Sequence, residues 1–491
     1  MSRPLSRPSV ADAAALALSI DRQRAGSIAV QLGQQLREMI LSGRMRRLAR
    51  LPSSRALAID LGISRATVVH AYEQLASEGY VEGRHGAGMF VSAALPEQMV
   101  QSGISLTRLP ARSSRSSVAP SATARARPFQ LGAIDPQLFP SNEWARLLQR
   151  TWRAPPRSLL LPADPFGWPD LRAAVARHLL EWRGIACEAS RIVITSGTAD
   201  AVELIAQLAF ARGTRVLVED PGYPTIRYVL QRLGVTVVSV PVDGEGLDLS
   251  QAPRHRDARG AIVTPSRQFP LGAVLPVARR LSLLEWARQT EATIVEDDFD
   301  SEYRYAGTPL PALTSLDAHE RAVYVGSFSK VLLPTLRLGF VVLPSRLIAT
   351  AHDHLRRRGA TASLIAQPAL AELMASDAYA THIRRTRRVY ARRMAVLTAQ
   401  ADRFTGLLSL APTAAGMHVV ADLSPQLSRR YSDQEIAAVL RQAGVLTSPL
   451  SDYYTASPPR RALLLGFAGF SEEDITQAAR KIRNVLEKVA R

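Results

Sequence analysis

Two periodicities divide this chain, and the change from one to the other falls near residue 129. From Ser27 to Leu41 apolar residues recur at steps of three and four. Ile28, Leu32, Leu36, Met39 and Ile40 share one stripe, which predicts an amphipathic helix. A second helix, capped by Ser53 or Ser54, is expected to turn Leu57 and Leu61 inward. Gly62 supplies a tight turn, and Ser64 caps a third helix that buries Val68, Tyr72 and Leu75. Tyr80-Val81-Glu82 and Met89-Phe90-Val91 then flank a glycine-rich tip and read as a two-stranded wing. These elements predict a winged helix-turn-helix over residues 26–92, behind an Ala/Ser/Arg-rich tail over 1–25.

Over residues 93–128 Pro, Ser, Ala and Arg dominate and no periodicity survives, so this stretch reads as a flexible linker. From Phe129 onward the pattern becomes short apolar runs, at Arg191–Thr195, Arg215–Glu219, Ala261–Thr264, Thr293–Glu296 and Ala322–Gly326. Amphipathic stretches alternate with them, one from Ala199 and one over Tyr223–Leu233. Such runs suit strands covered on both faces, so residues 129–491 predict an α/β domain with a mostly parallel sheet. Ligands of such sheets gather beyond the carboxyl ends of the strands. Polar residues cluster at those ends: Ser196-Gly197-Thr198, Asp220 to Tyr223, Thr264 to Gln268, and Glu296-Asp297-Asp298.

Composition narrows the field. The chain is 491 residues long and 47% hydrophobic, with no apolar run of the ~18 residues a membrane span needs and no apolar leader segment. Cys187 is the only cysteine, which excludes an intrachain disulfide and a cysteine-rich metal site and suits a reducing cytoplasm. The histidines show no ligand spacing, so no metal is expected. The net charge is +18, and the first 128 residues hold 17 arginines against eight acidic residues, an excess that favours a polyanion partner. Of 61 Lys+Arg, only Lys330, Lys481 and Lys488 are lysine. Arginine replaces lysine as a surface charge, but its guanidinium stays protonated and cannot form a Schiff base. Lys481 and Lys488 fall on a polar C-terminal helix, whereas Lys330 closes the interior stretch Val325-Gly-Ser-Phe-Ser-Lys330. It is the candidate catalytic residue.

The third helix opens Ser64-Arg65-Ala66-Thr67, placing one arginine and short hydroxyls at the end that enters a major groove. Arg65 suits a guanine edge, and Ser64 and Thr67 suit phosphates. Arg55 lies near the DNA backbone, while Arg84, His85 and Gly86 at the wing tip suit the minor groove. The run "LPSSRALAIDLGISRATVVHAYEQLASEGYVEGRHGAGMFV" resembles the DNA-binding domain of the GntR family. Arg47-Leu48 stands where that family usually has a Pro-Gly turn.

The stretches "VEDPGYP", "VTPSRQFPLG", "EDDFDSEYRY" and "GSFSKVLLPTLRLGFVVLP" resemble fold type I aminotransferases. They resemble in particular the MocR/GabR-type transcriptional regulators, in which a GntR reader precedes such a domain. The resemblance implies pyridoxal 5′-phosphate as cofactor, bonded covalently to Lys330. Asp297 would pair with its ring nitrogen and Tyr223 stack on the ring. Ser196, Gly197, Thr198, Ser327 and Arg337 would form the phosphate cup. It further implies a cytoplasmic head-to-tail homodimer that reads two half-sites on double-stranded DNA and senses an amino compound or the cofactor itself. The alternative is an active aminotransferase with a fused DNA-binding domain.

Four positions depart from that pattern. Phe299 replaces a tyrosine that would bond the cofactor phenolate, and Arg267-Gln268 replaces His-Gln. An aromatic residue that crosses to the partner's cofactor is missing around Leu161-Pro162. Leu464 stands where transaminases grip a substrate carboxylate with arginine, leaving Arg460, Arg461 and Arg227 as outside candidates. These departures argue against efficient transamination.

Overall fold

The computed structural model describes residues 18, 20, 27–84, 88–93, 127–161, 164–252, 255–306, 311–410 and 413–491. Nearly all of the expected tail and of the expected linker, with His85, Gly86 and Pro162, lie outside the described residues. The chain divides into two compact units, Met1–Pro120 and Ser121–Arg491.

In the first unit α1 (Ile28–Leu41), α2 (Ser54–Leu61) and α3 (Arg65–Ser77) precede the hairpin of β1 (Val81–Arg84) and β2 (Gly88–Val91). Leu32, Leu36, Leu57, Val68 and Leu75 are fully enclosed between the three helices, and Val91 closes the core from the wing. Leu61, expected inside, packs at its margin. Ser53, not Ser54, caps α2 by accepting from the Ala56 amide at 3.1 Å. Gly62 ends α2 at φ 63°, a left-handed turn that glycine adopts without a Cβ clash. The buried Tyr72 hydroxyl donates to the Pro52 carbonyl at 3.0 Å, pinning α3 to the segment ahead of α2. The loop lacking Pro-Gly keeps a left-handed residue all the same: Leu48 sits at φ 63° while its amide donates to the Val91 carbonyl at 3.0 Å.

The second unit is built on an eight-stranded sheet ordered β3-β10-β9-β8-β7-β4-β5-β6. Its strands are β3 (Ile192–Thr195), β4 (Arg215–Asp220), β5 (Thr236–Asp243), β6 (Gly246–Leu247), β7 (Gly260–Val263), β8 (Thr293–Asp298), β9 (Ala322–Ser327) and β10 (Gly339–Val342). Neighbours from β9 through β8, β7 and β4 to β5 pair in parallel, while β10 runs antiparallel between β3 and β9. Period-two alternation divides the strand side chains between two apolar layers. Val193, Val216, Val295 and Val323 meet the helices Thr198–Ala209 and Ser345–Arg358, whereas Leu217, Ala261 and Ile294 meet the helix Val277–Thr290. Gly326 is dictated by packing, because a Cβ there would lie 2.2 Å from the Phe340 ring.

A second, antiparallel sheet follows, ordered β11-β12-β14-β13, from β11 (Leu408–Leu410), β12 (His418–Leu423), β13 (Ser448–Pro449) and β14 (Ala462–Gly466). The helices Asp377–Thr398, Asp433–Gln442 and Glu472–Ala490 cover it. Asp220, at the end of β4, ties this C-terminal layer to the main sheet. It accepts from the amides of Thr455, Ala456 and Ser457 at 2.7–2.9 Å and from Arg227 at 2.8 Å. Burial works to raise its pKa, but the Ser457 and Ala456 amides and Arg227 hold it below the ordinary value. No helix among the described residues is long and apolar enough to cross a membrane.

Candidate functional site: a cavity at the strand ends

The register of three strands builds the site. Gly339 of β10 lies opposite Thr195 of β3 on one side and Ser327 of β9 on the other, so the turn after β3 and the end of β9 share one edge. A Cβ on Gly339 would press to 2.9 Å from the Gly326 carbonyl oxygen, so glycine keeps the strands in contact there. Asp297 of β8 pairs with Val325 of β9 and reaches the same edge. Beyond it opens a cavity of about 540 Å³. Lys330, Asp297, Tyr223, Ser196, Gly197, Thr198, Ser327 and Arg337 all line it.

Each arrives by a local device. Gly197, at φ 87°, turns the chain into the helix Thr198–Ala209, whose first amides have no partner within the helix, an end that suits an anion. Asp200 accepts from the Ser196 amide at 2.8 Å and steadies this turn. Ser327 accepts from the Ser329 amide at 3.2 Å. Arg337 follows the 3-10 turn Pro334–Leu336 in the left-handed region, at φ 47°. Tyr223 immediately precedes the helix Pro224–Arg232 and lies edge-on to Phe269 with ring centres 5.8 Å apart.

Lys330 is largely enclosed. Burial lowers its pKa, opposed by the nearby Asp300 carboxylate. Gly132 crosses directly over the amine, where a Cβ would stand 2.7 Å from Nζ. Asp297 is 4% exposed and its Oδ1 has no hydrogen-bond partner. Burial, with Asp298, Glu219 and Asp300 close by, pushes its pKa up to about 7. Glu219 is likewise raised to about 7 by burial, although Thr264 donates to it through its hydroxyl at 2.6 Å.

An unpartnered buried carboxylate, an enclosed amine and an anion-receiving helix end in one cavity fit a phosphorylated pyridine. The carboxylate oxygen matches a ring N–H. Gly132 leaves room at the amine, and Gly197 allows the left-handed turn after β3.

Sequence reasoning missed part of the cavity. Asp300, His418, Phe269, Tyr453 and Leu131 also line it. His418 comes from β12, far along the chain, and only the contact between the two sheets brings it in. The outside arginines are engaged elsewhere. Arg227 is buried against Asp220, Arg460 pairs with Asp422, and Arg461 donates to the carbonyls of Ser428 and Tyr431. Leu464 is fully buried in β14, packed near Leu131 and Tyr453.

In the first unit the helix-turn-helix end is exposed. Ser64 accepts from the Thr67 amide at 3.1 Å, and the two hydroxyls lie 2.8 Å apart, so they share the cap of α3 and keep one hydroxyl proton to donate outward. Arg55 and Arg65 are exposed, and Arg65 Nε donates to Ser54 at 3.4 Å. Arg84 is folded back on Glu82 at 2.7 Å and lies over the Phe90 ring.

Residues 28–91 match the gntR family of bacterial regulatory proteins, and residues 128–482 match the class I and II aminotransferases. Fold and site thus define a DNA-binding transcription regulator with an aminotransferase-like domain, whose cofactor is pyridoxal 5′-phosphate. Over 477 residues the chain is 36% identical to the probable rhizopine catabolism regulatory protein MocR of Rhizobium meliloti, covering 96% of each. It is 31% identical to the pyridoxine biosynthesis transcriptional regulator PdxR of Corynebacterium glutamicum, covering 96% of this chain and 98% of that one. The chain belongs to this MocR-type family of GntR regulators. Among solved structures it resembles LysN, the α-aminoadipate aminotransferase of Thermus thermophilus, crystallised with N-(5′-phosphopyridoxyl)-L-leucine. That match has a TM-score of 0.66 and 25% identity over 74% of this chain and 92% of the other.

Proposed function

We propose that residues 26–92 read operator DNA, that residues 129–491 sense an amino compound or the cofactor, and that residues 93–128 link the two. In this reading the amine of Lys330 bonds the cofactor covalently. Asp297 accepts the ring N–H, Tyr223 covers the ring, and Ser196, Gly197, Thr198, Ser327 and Arg337 hold the phosphate. When bound, the cofactor supplies an aldehyde for amines and a protonated ring that withdraws electrons. Arg65 would read a base edge, with Arg55 and Arg84 on the backbone or minor groove. His85 and Gly86 would complete the wing tip. A cytoplasmic head-to-tail homodimer would present two readers to two half-sites.

The observation that carries the cofactor roles is the unpartnered, buried Asp297 Oδ1 in the same cavity as Lys330. It favours a resident ring over a domain that only dimerises. The engagement of Arg227, Arg460 and Arg461 elsewhere favours a sensor over an amino-acid transaminase with sustained turnover.

The test is an absorbance spectrum of the purified protein, before and after borohydride, beside Lys330→Ala. A cofactor band that reduction fixes onto the wild-type chain but not onto the variant is the expected result. A wild type that stays colourless with added pyridoxal 5′-phosphate overturns the reading.

A further inference from the structure

We infer that the effector of this cavity is an amine that carries no carboxylate, rather than an amino acid. The inference rests on the cofactor reading above and follows from the charges left over once the cofactor's partners are assigned. The lining holds two cations, Lys330 and Arg337, and two carboxylates, Asp297 and Asp300. Lys330, Arg337 and Asp297 are taken by the cofactor's aldehyde, phosphate and ring nitrogen. The one charged lining group left over is Asp300, which is 2% exposed and already ion-paired with Arg267 at 3.2 Å, so the lining offers a second molecule no free charge.

The wall facing the C-terminal layer is neutral. It is made by Leu131, Met417, His418 and Tyr453, with Phe269 and Phe299 beside them. His418 is held well below its ordinary pKa by burial and by Arg267, and its Nε2 donates to the Pro270 carbonyl at 2.9 Å. Arg267, the nearest further cation, is enclosed behind this wall. Its Nη1 donates to Asp300 at 3.2 Å and its Nη2 to the His418 carbonyl at 3.0 Å. Its guanidinium fills the space a Cβ on Gly416 would need.

An effector carboxylate entering here would lose its water and find no cation among the described lining residues beyond those the cofactor uses. A neutral tail would meet aromatic edges and the apolar side chains of Leu131 and Met417 instead.

The test uses the full-length protein loaded with pyridoxal 5′-phosphate and matched pairs of an amino acid and its decarboxylated amine: phenylalanine and phenethylamine, lysine and cadaverine, arginine and agmatine. Binding is followed by the cofactor absorbance band and by calorimetry. Each amine is expected to bind at least about tenfold tighter than its parent. Thr225, a half-buried lining residue in the first turn of the helix Pro224–Arg232, is a place to add a cation. Thr225→Arg is expected to narrow the gap by strengthening the amino acids. Amino acids that bind as tightly as their amines overturn the inference, and so does a loaded protein that responds to neither. A protein that retains no cofactor band after desalting overturns the cofactor reading itself, and the inference with it.

Discussion

Asp297 is the residue whose cost is most visible. Its carboxyl is raised to about 7, and that of Glu219 likewise, whereas both titrate near 4 in an unfolded chain. The folded protein therefore holds protons that the unfolded chain has released. The stability from these groups is full below about pH 4 and is lost as pH rises through about 7. The loss is at most about 1.4 kcal/mol per pH unit for each carboxyl. Cofactor-free Asp297→Asn, which removes the charge and keeps the shape, should melt above the wild type at pH 8, with the difference shrinking as pH falls and vanishing below about pH 4. It should also retain cofactor more weakly, because the ring N–H loses a charged acceptor. A wild type whose cofactor-free form gains stability from pH 5 to 8 would contradict this assignment. Leu48 stores a smaller strain, since a left-handed conformation costs a non-glycine residue about 1–2 kcal/mol. Allowing for glycine's greater chain entropy, Leu48→Gly should stabilise the first unit by about 0.5–1 kcal/mol in denaturant melts.

At the scale of elements, the proposed roles assign folding and recognition to two adjacent residues at the start of α3. Ser64 caps the helix, so Ser64→Ala should cost about 1 kcal/mol of stability. Arg65 is exposed beside it, so Arg65→Ala should leave the melting temperature in place and cost about 1–3 kcal/mol of discrimination between operator and unrelated DNA. Gel-shift titrations and thermal melts of both variants check the split; an Arg65→Ala protein with unchanged selectivity would remove that residue from the base contacts. The small domain was legible because its signals are local: a stripe, a cap, a glycine turn. The parallel strands were legible because each is a continuous apolar run. β10 was not read as a strand. Its residues, Gly339–Val342, continue the loop after Lys330, and only pairing with β3 and β9 makes them one. The second sheet was hidden for a similar reason, with β13 only two residues long. His418 and Asp300 share a cavity through tertiary contact, which no spacing encodes. Ser196 to Thr198 and Asp297 stood out because they close strands, and Lys330 because it is the interior lysine of a chain that otherwise carries arginine.

For the whole molecule the question is how a small cavity can change DNA affinity. The chain carries a net +18, so binding to DNA should weaken with salt by roughly 0.9 log units per log unit of salt for each phosphate contacted. That response measures the basic footprint and is blind to the effector. The effector acts only through a difference in its own affinity for two states of the protein. Binding linkage then fixes a second quantity. If an amine changes operator affinity by some factor, operator DNA must change amine affinity by the same factor. Titrating the amine with and without saturating operator, and the operator with and without saturating amine, should give equal ratios at one salt concentration. Couplings of this kind are on the order of 5- to 150-fold, well above the error of either titration. An amine that perturbs the cofactor band while leaving both ratios at one would show that cavity and reader are uncoupled. The aminotransferase-like domain would then have no effector-dependent part in DNA binding.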